Sequence, residues 1–130
     1  MKKKRFAVIP AYNEEKQISG VVKKTKKYVN NVVVVDDGSK DKTKDTAKKS
    51  KAIVLQHLVN LGKGAALKTG CDYAVKKNAD IIIAIDADAQ HNPKEIPKFL
   101  ENIKNCDVVL AYRKTNKDMP LILKFGNWFI

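Results

Sequence analysis

Cysteine, arginine, aromatic side chains and long apolar runs are all scarce in this 130-residue chain, and each scarcity removes a class of protein. The two cysteines, Cys71 and Cys106, have no metal-like spacing and fall in predicted helix and loop. They read as reduced structural thiols, not as a disulfide or a metal site. No apolar stretch approaches the roughly 18 residues that a membrane span needs. Met1-Lys2-Lys3-Lys4-Arg5 is basic, but it leads into a strand pattern ending at Pro10, not into the apolar core of a signal peptide. Arg5 and Arg113 are the only arginines among 26 basic residues, and the aromatics are not interleaved with the lysines. A base-reading or single-strand-binding module would more typically supply arginines or interleaved aromatics, so no nucleic-acid partner is expected. The formal charge of +12 is assigned to solvated helix faces carrying pairs such as Lys23-Lys24, Lys26-Lys27, Lys48-Lys49 and Lys76-Lys77. Attraction to anionic lipid headgroups or phosphorylated substrates is its second reading. With no linker, repeat or low-complexity segment, residues 1–130 read as one domain with a sizeable core, of a soluble, intracellular, enzyme-like composition.

What is present is an alternation of strand and helix patterns. Apolar runs at Phe6–Ile9, Val32–Val35 and Ile81–Ile85 read as strands buried on both faces, with shorter strands at Ala52–Gln56 and Asp107–Tyr112. Between them, Ile18, Val21, Val22, Thr25 and Val29 recur at helical spacing with lysines opposite. A lysine-rich helix capped by Ser39 or Asp41 buries Ala47, and a third helix after Asn60-Leu61-Gly62-Lys63-Gly64 buries Leu67, Cys71, Ala74 and Val75. Asn92-Pro93 starts a fourth helix with a stripe of Ile96, Phe99, Leu100 and Ile103. This order predicts an α/β fold, a mostly parallel doubly wound sheet with helices on both faces. A strand order of 3-2-1-4 would place a ligand crevice at the C-terminal strand ends, where the order reverses.

The candidate site follows from what ends each strand. Asp86-Ala87-Asp88 closes the fourth, Asp36-Asp37 the second and Pro10-Ala11-Tyr12-Asn13-Glu14-Glu15 the first. An isolated D-x-D is more often a pair of exposed turn aspartates. Three buried strands ending in polar clusters make a site, because paired carboxylates at a strand end need a cation to offset their desolvation. A hard divalent cation on Asp86 and Asp88 suits a diphosphate, whose leaving group it would stabilise. Asp36 or Asp37 can accept hydrogen bonds from a nucleobase or ribose, Tyr12 can pack on a base, and Lys63 can approach phosphate oxygens. Alone, the loop around Lys63 is neither a P-loop nor a dinucleotide fingerprint, and a glycine-rich turn capping the next helix is about as good a reading.

As a set, Ile9–Glu15, Val35–Thr43, Asn60–Gly64 and Asp86-Ala87-Asp88-Ala89-Gln90-His91-Asn92-Pro93 resemble the inverting glycosyltransferases of family 2. They are most similar to its dolichyl-phosphate mannosyltransferase, or polyprenyl-phosphate glycosyltransferase, branch. The resemblance runs from Arg5 to about Asn127. It implies a GT-A fold, a nucleotide-diphospho-sugar donor of GDP-mannose or UDP-glucose type, an inverting outcome and a polyprenyl-phosphate acceptor at the cytoplasmic membrane face. It further implies donor contacts from Pro10, Ala11, Tyr12, Glu14, Asp36, Asp37, Lys63, Asp86 and Ala87. Asp86, Asp88 and Gln90 would meet Mg²⁺ or Mn²⁺, and Asp88 and Arg113 would take the catalytic roles.

Two departures stand out: Ala89 replaces a glycine usual after the second aspartate, and Ala111-Tyr112 replaces a Gly-Ser pair before Arg113. The chain also stops where an acceptor-side helix would begin, so the catalytic domain reads as incomplete at its C-terminus. Leu121–Ile130 would then seek a cover: as a helix that the missing residues would bury, a reading preferred to a membrane anchor, or, in the isolated chain, by self-association. The competing readings are a truncated, non-catalytic nucleotide-binding domain and a sugar nucleotidyltransferase. The second would carry a glycine- and arginine-rich loop after its first strand, and Ala11–Glu15 is not one.

Overall fold

Val32-Val33-Val34-Val35 is the most β-branched run in the chain, and it forms one of the two central, buried strands of a four-stranded parallel sheet. The computed structural model describes residues 2–110. Within it, β1 (Arg5–Ala11), β2 (Asn31–Asp37), β3 (Ile53–His57) and β4 (Ile81–Ala84) lie in the order β3-β2-β1-β4, all parallel. The expected fold class is observed, and the strand order is the one on which the ligand crevice was conditional. α1 (Ile18–Thr25) and α2 (Thr43–Lys49) are the crossovers on one side of the reversal, and α3 (Lys63–Lys76) crosses from β3 to β4 over the other face. The chain divides into two compact units, Met1–Ile96 and Pro97–Ile130, and the sheet belongs to the first.

Alternation along each strand assigns the faces. Phe6 and Val8 of β1, with Val33 and Val35 of β2, pack under Ala66 and Ala74 of α3. The intervening Ala7, Ile9, Val32 and Val34, fully or almost fully buried, point to the face where α1 buries Ile18, Val21 and Val22 and α2 buries Ala47. A helix on each face is what lets the strand interiors be apolar at every position.

Three expectations need correction. The stripe of α3 is Ala66, Gly70 and Ala74; Leu67 and Cys71 are half-buried flanks, and Val75 is 64% exposed. The reason is closeness: a Cβ on Gly70 would sit 2.2 Å from Val8 Cγ1 and 3.0 Å from Val35 Cγ2, so only small residues fit the contact line. β4 is not buried on both faces. Ile81, Ile82 and Ile83 are half-buried and Ala84 is exposed, because among the described residues β4 is an edge strand paired with β1 alone. Over its described part, 107–110, the expected fifth strand is not formed, and Val108 and Leu110 are 69% and 71% exposed. Its remainder, with Ala111, Tyr112, Arg113 and Leu121–Ile130, lies outside the described residues.

The fourth helix starts as expected. Asn92 accepts from the Lys94 N–H at 3.0 Å, Pro93 opens a 3-10 turn, and α4 (Ile96–Asn102) follows. Gly70→Ala tests the α3 contact. Overpacking of about 1–3 kcal/mol should outweigh the roughly 1 kcal/mol that alanine returns in helix propensity. The urea midpoint should fall; a raised midpoint would mean that α3 can lift off the sheet at no cost.

Candidate functional site

Parallel strands deliver their C-terminal ends to one edge, and there the structure opens a crevice of about 320 Å³. Its lining draws on Pro10, Ala11, Tyr12 and Glu14 after β1, Asp37 at the end of β2, Asn60, Gly62 and Lys63 before and at the start of α3, and Asp86, Ala87 and Asp88 after β4. Nine of the expected residues therefore gather at one place, together with Asn60 and Gly62, which belong to the motif around Lys63 but were not among the expected site residues. Asp36 and Gln90 are not in the lining, and Arg113 lies outside the described residues.

The β1 and β2 ends are zipped together by hydrogen bonds between side chains and backbone. The Asn13 N–H donates to Ser39 Oγ (2.9 Å) and the Lys40 N–H to Asn13 Oδ1 (2.9 Å). The Glu14 N–H donates to Thr43 Oγ1 (2.8 Å), the Glu15 N–H to Asp41 Oδ2 (3.2 Å), and the Lys42 N–H to Glu15 Oε2 (3.0 Å). Asn13 takes φ 52°, a left-handed conformation that asparagine tolerates. The N-cap position of α2 is Lys42, which makes no side-chain cap bond; Asp41, expected as the cap, stands one residue earlier and accepts from the Thr43 N–H at 2.9 Å, and Ser39 serves the β1 turn instead.

Asp36 and Asp37 part company because successive strand residues face opposite ways. Asp37 is 3% exposed and shares the α3 face with Val33 and Val35. Its Oδ1 accepts from His57 Nδ1 (2.7 Å) and the Leu61 N–H (2.9 Å), and its Oδ2 from the Gly62 N–H (2.9 Å). Burial by itself would raise its carboxyl; the Leu61 amide, His57 and the Gly62 amide outweigh it and hold the group below the ordinary range. Asp36, 1% exposed, accepts from the Ser39 N–H at 3.1 Å through Oδ1, while Oδ2 is buried with no hydrogen-bond partner among the described residues.

At the β4 end, Asp86 Oδ1 forms an ion pair with Lys63 Nζ. The Asp86 N–H donates to His91 Nδ1 (3.2 Å), leaving Nε2 of that ring 3.4 Å from Asp86 Oδ2. Asp88 Oδ1 accepts from the Gln90 N–H at 2.9 Å. Between them Ala89 adopts φ 62°, which accounts for the glycine usual there and costs an alanine roughly 1–2 kcal/mol. Burial, then the charges of Asp88 and Asp41, push the Glu14 carboxyl up. Negative charge is thus concentrated in the crevice of a chain whose net charge is positive.

The donor set is hard oxygen, and it fits a divalent cation that completes its shell elsewhere. Among the described residues no three His, Cys, Asp or Glu side chains gather into a cage. Magnesium characteristically takes one or two carboxylates and fills the remaining positions with water and substrate phosphates.

Comparison with known proteins fits this geometry. The sequence model of glycosyl transferase family 2 matches residues 6–125. An uncharacterized protein of Methanocaldococcus jannaschii is 43% identical over 130 residues, covering 95% of this chain and 54% of its own length. The UDP-N-acetylglucosamine–dolichyl-phosphate N-acetylglucosaminyltransferase of Methanococcus voltae is 37% identical over 146 residues, covering 94% of this chain and 58% of its own. This chain therefore spans little more than half the length of these relatives. Among solved structures, glucosyl-3-phosphoglycerate synthase of Mycobacterium tuberculosis with Mg²⁺ and UDP superposes with a TM-score of 0.66 at 27% identity, over 81% of this chain and 41% of that one. The same enzyme has also been solved with Mn²⁺, UDP and glucosyl-3-phosphoglycerate.

Proposed function

Given that the chain belongs to glycosyl transferase family 2, we propose that its crevice binds a nucleoside-diphosphate sugar and serves transfer of that sugar to a polyprenyl phosphate. The observation that carries the reading is the meeting of Asp86, Asp88, Lys63 and the β1 turn in one crevice. In this proposal Tyr12, 43% exposed, packs on the nucleobase, with Pro10, Ala11 and Glu14 beside it. Asp36 is proposed to serve the nucleoside from behind the crevice lining, which it does not join; its Oδ2 is buried with no hydrogen-bond partner among the described residues. Asp37, with both oxygens engaged, serves the nucleoside by holding the crevice wall. Asp86 and Asp88, with Gln90 beside them, hold Mg²⁺ or Mn²⁺, and Lys63 adds positive charge toward the diphosphate. A bound cation supplies Lewis-acid stabilisation of the nucleoside diphosphate as leaving group.

Asp88 and Arg113 keep their proposed catalytic roles, Arg113 toward a donor or acceptor phosphate. The acceptor phosphate is already a competent nucleophile, so positioning and charge stabilisation carry the rate, and no strong base is required of the crevice. A polyprenyl chain resides in a membrane, which makes a peripheral position at the cytoplasmic face part of the proposal. No described helix is long and apolar enough to cross a membrane.

Calorimetric titration with UDP and with GDP, each with Mg²⁺ or Mn²⁺ and then with chelator, tests the reading. One of the two nucleotides should bind, and chelator should abolish the binding. Binding that survives chelation would remove the cation from Asp86 and Asp88, and binding of neither nucleotide would overturn the proposal.

A further inference from the structure

The wall of the crevice formed by Asn60 and Gly62 has no apolar anchor of its own. Leu58, Val59 and Leu61 are 98%, 61% and 60% exposed, so side-chain burial does not fix the loop. Two things do. Gly38, at φ +74°, lets the loop backbone come so close that a Cβ there would lie 2.6 Å from Asn60 N and from Val59 C. Asp37 then takes the N–H groups of Leu61 and Gly62, one on each carboxylate oxygen.

Asp37 is itself held by His57, its register partner across β2 and β3. Residues paired in register project on the same face, so the imidazole meets the carboxylate with Nδ1 2.7 Å from Oδ1. The far nitrogen is pinned as well. Nε2 lies 2.8 Å from Oγ1 of Thr69, whose hydroxyl donates to the Ala65 carbonyl one turn back in α3. The side chains of His57 and Asp37 are 10% and 4% exposed, so neither contact is diluted by solvent. The line Thr69–His57–Asp37 thus runs from α3 to the two amides that set the loop, and the loop leads into Lys63 and its pairing with Asp86.

We infer that His57 is a positioning residue of the crevice: through Asp37 it fixes the Asn60–Gly62 wall and the approach of Lys63, without touching the ligand itself. The consequence for donor affinity rests on the proposed function; the consequence for the loop does not.

Two substitutions separate positioning from packing. His57→Phe keeps the ring volume and removes both nitrogens. His57→Asn gives up volume but keeps an N–H where Nδ1 stands. Two readouts are used on the full chain: exchange of the Leu61 and Gly62 amides by NMR, and calorimetric titration with Mn²⁺ and UDP. In the Phe variant both amides should exchange faster, and affinity should fall, by about 10- to 100-fold, the effect of one hydrogen bond to a charged group. The Asn variant should stay near the parent in both. Protection kept by Phe and lost by Asn would make His57 a packing residue and overturn the inference, as would equal loss or no loss in the two. Failure of the parent chain to bind the nucleotide would sink the proposed function, and amide exchange would still decide the role of His57. Should the Phe variant not fold, Thr69→Val decides: exchange at Leu61 and Gly62 should rise by about threefold or more, and an unchanged rate overturns the inference.

Discussion

Asp88→Asn should weaken cation-dependent nucleotide binding by at least about 100-fold, the upper range for loss of an outer-shell partner, and should leave the unfolding midpoint nearly unchanged. The two effects separate because of where the residue sits. Asp88 is half-buried at the crevice, and its hydrogen bond, Oδ1 accepting from the Gln90 N–H at 2.9 Å, is one that an asparagine oxygen can keep. What is removed is a negative charge. Glu14, whose carboxyl is pushed up by burial and then by Asp88 and Asp41, loses one source of that pressure and moves back toward the ordinary carboxylate range. Asp86 would be the poorer probe, since removing its charge also frees Lys63 and disturbs His91. Titration of parent and variant, each with Mn²⁺ and with chelator, gives the comparison. Equal affinities with the metal present would exclude Asp88 as a ligand.

Much of this site could be read along the chain because it is built from strand ends, and strand ends are visible as the point where an apolar run meets carboxylates. The alternation of strands and helices implied a parallel sheet, and the order β3-β2-β1-β4, on which the crevice was conditional, brings Glu14, Lys63, Asp86 and Asp88 together. Two kinds of feature stayed hidden. One was facing: Asp36 and Asp37 look equivalent in sequence, but a period of two sends one to each side of the sheet, and only Asp37 lines the crevice. The other was closeness. Hydrophobicity favoured Leu67 and Val75 for the buried line of α3, whereas the distance between helix and sheet selected Ala66, Gly70 and Ala74. Asn60 and Gly62 had a signal, their place in the motif beside Lys63. His57 had none, because its role depends on pairing in register with Asp37, which is a property of the sheet.

Asp37→Ala should cost the fold about 3–5 kcal/mol, because it removes one partner of a buried, hydrogen-bonded pair. At the sequence level Asp37 is one of two carboxylates able to serve a nucleoside. In the structure it accepts three hydrogen bonds, and its loss leaves His57 Nδ1 and the Leu61 amide without that acceptor and the Gly62 amide with Asn60 Oδ1 alone, at 3.1 Å. The pH dependence has a definite sign. Hydrogen bonds from Leu61, His57 and Gly62 hold the folded carboxyl below its ordinary range against the opposing effect of burial. A group depressed in this way stabilises fully above its unfolded pKa of about 3.9, and the contribution is lost as pH falls through the folded value. Asp41 acts in the same window: burial raises it, and its contacts with Thr43 and the Glu15 amide lower it further. Glu14 runs the other way, since a raised carboxyl withdraws stability as pH rises. Urea unfolding at pH 7, and at steps below pH 5, should therefore show the parent losing stability on acidification more steeply than the variant. The gap between them should be widest near neutrality. A variant as stable as the parent at pH 7, but with weakened nucleotide binding, would return Asp37 to a role in ligand contact alone.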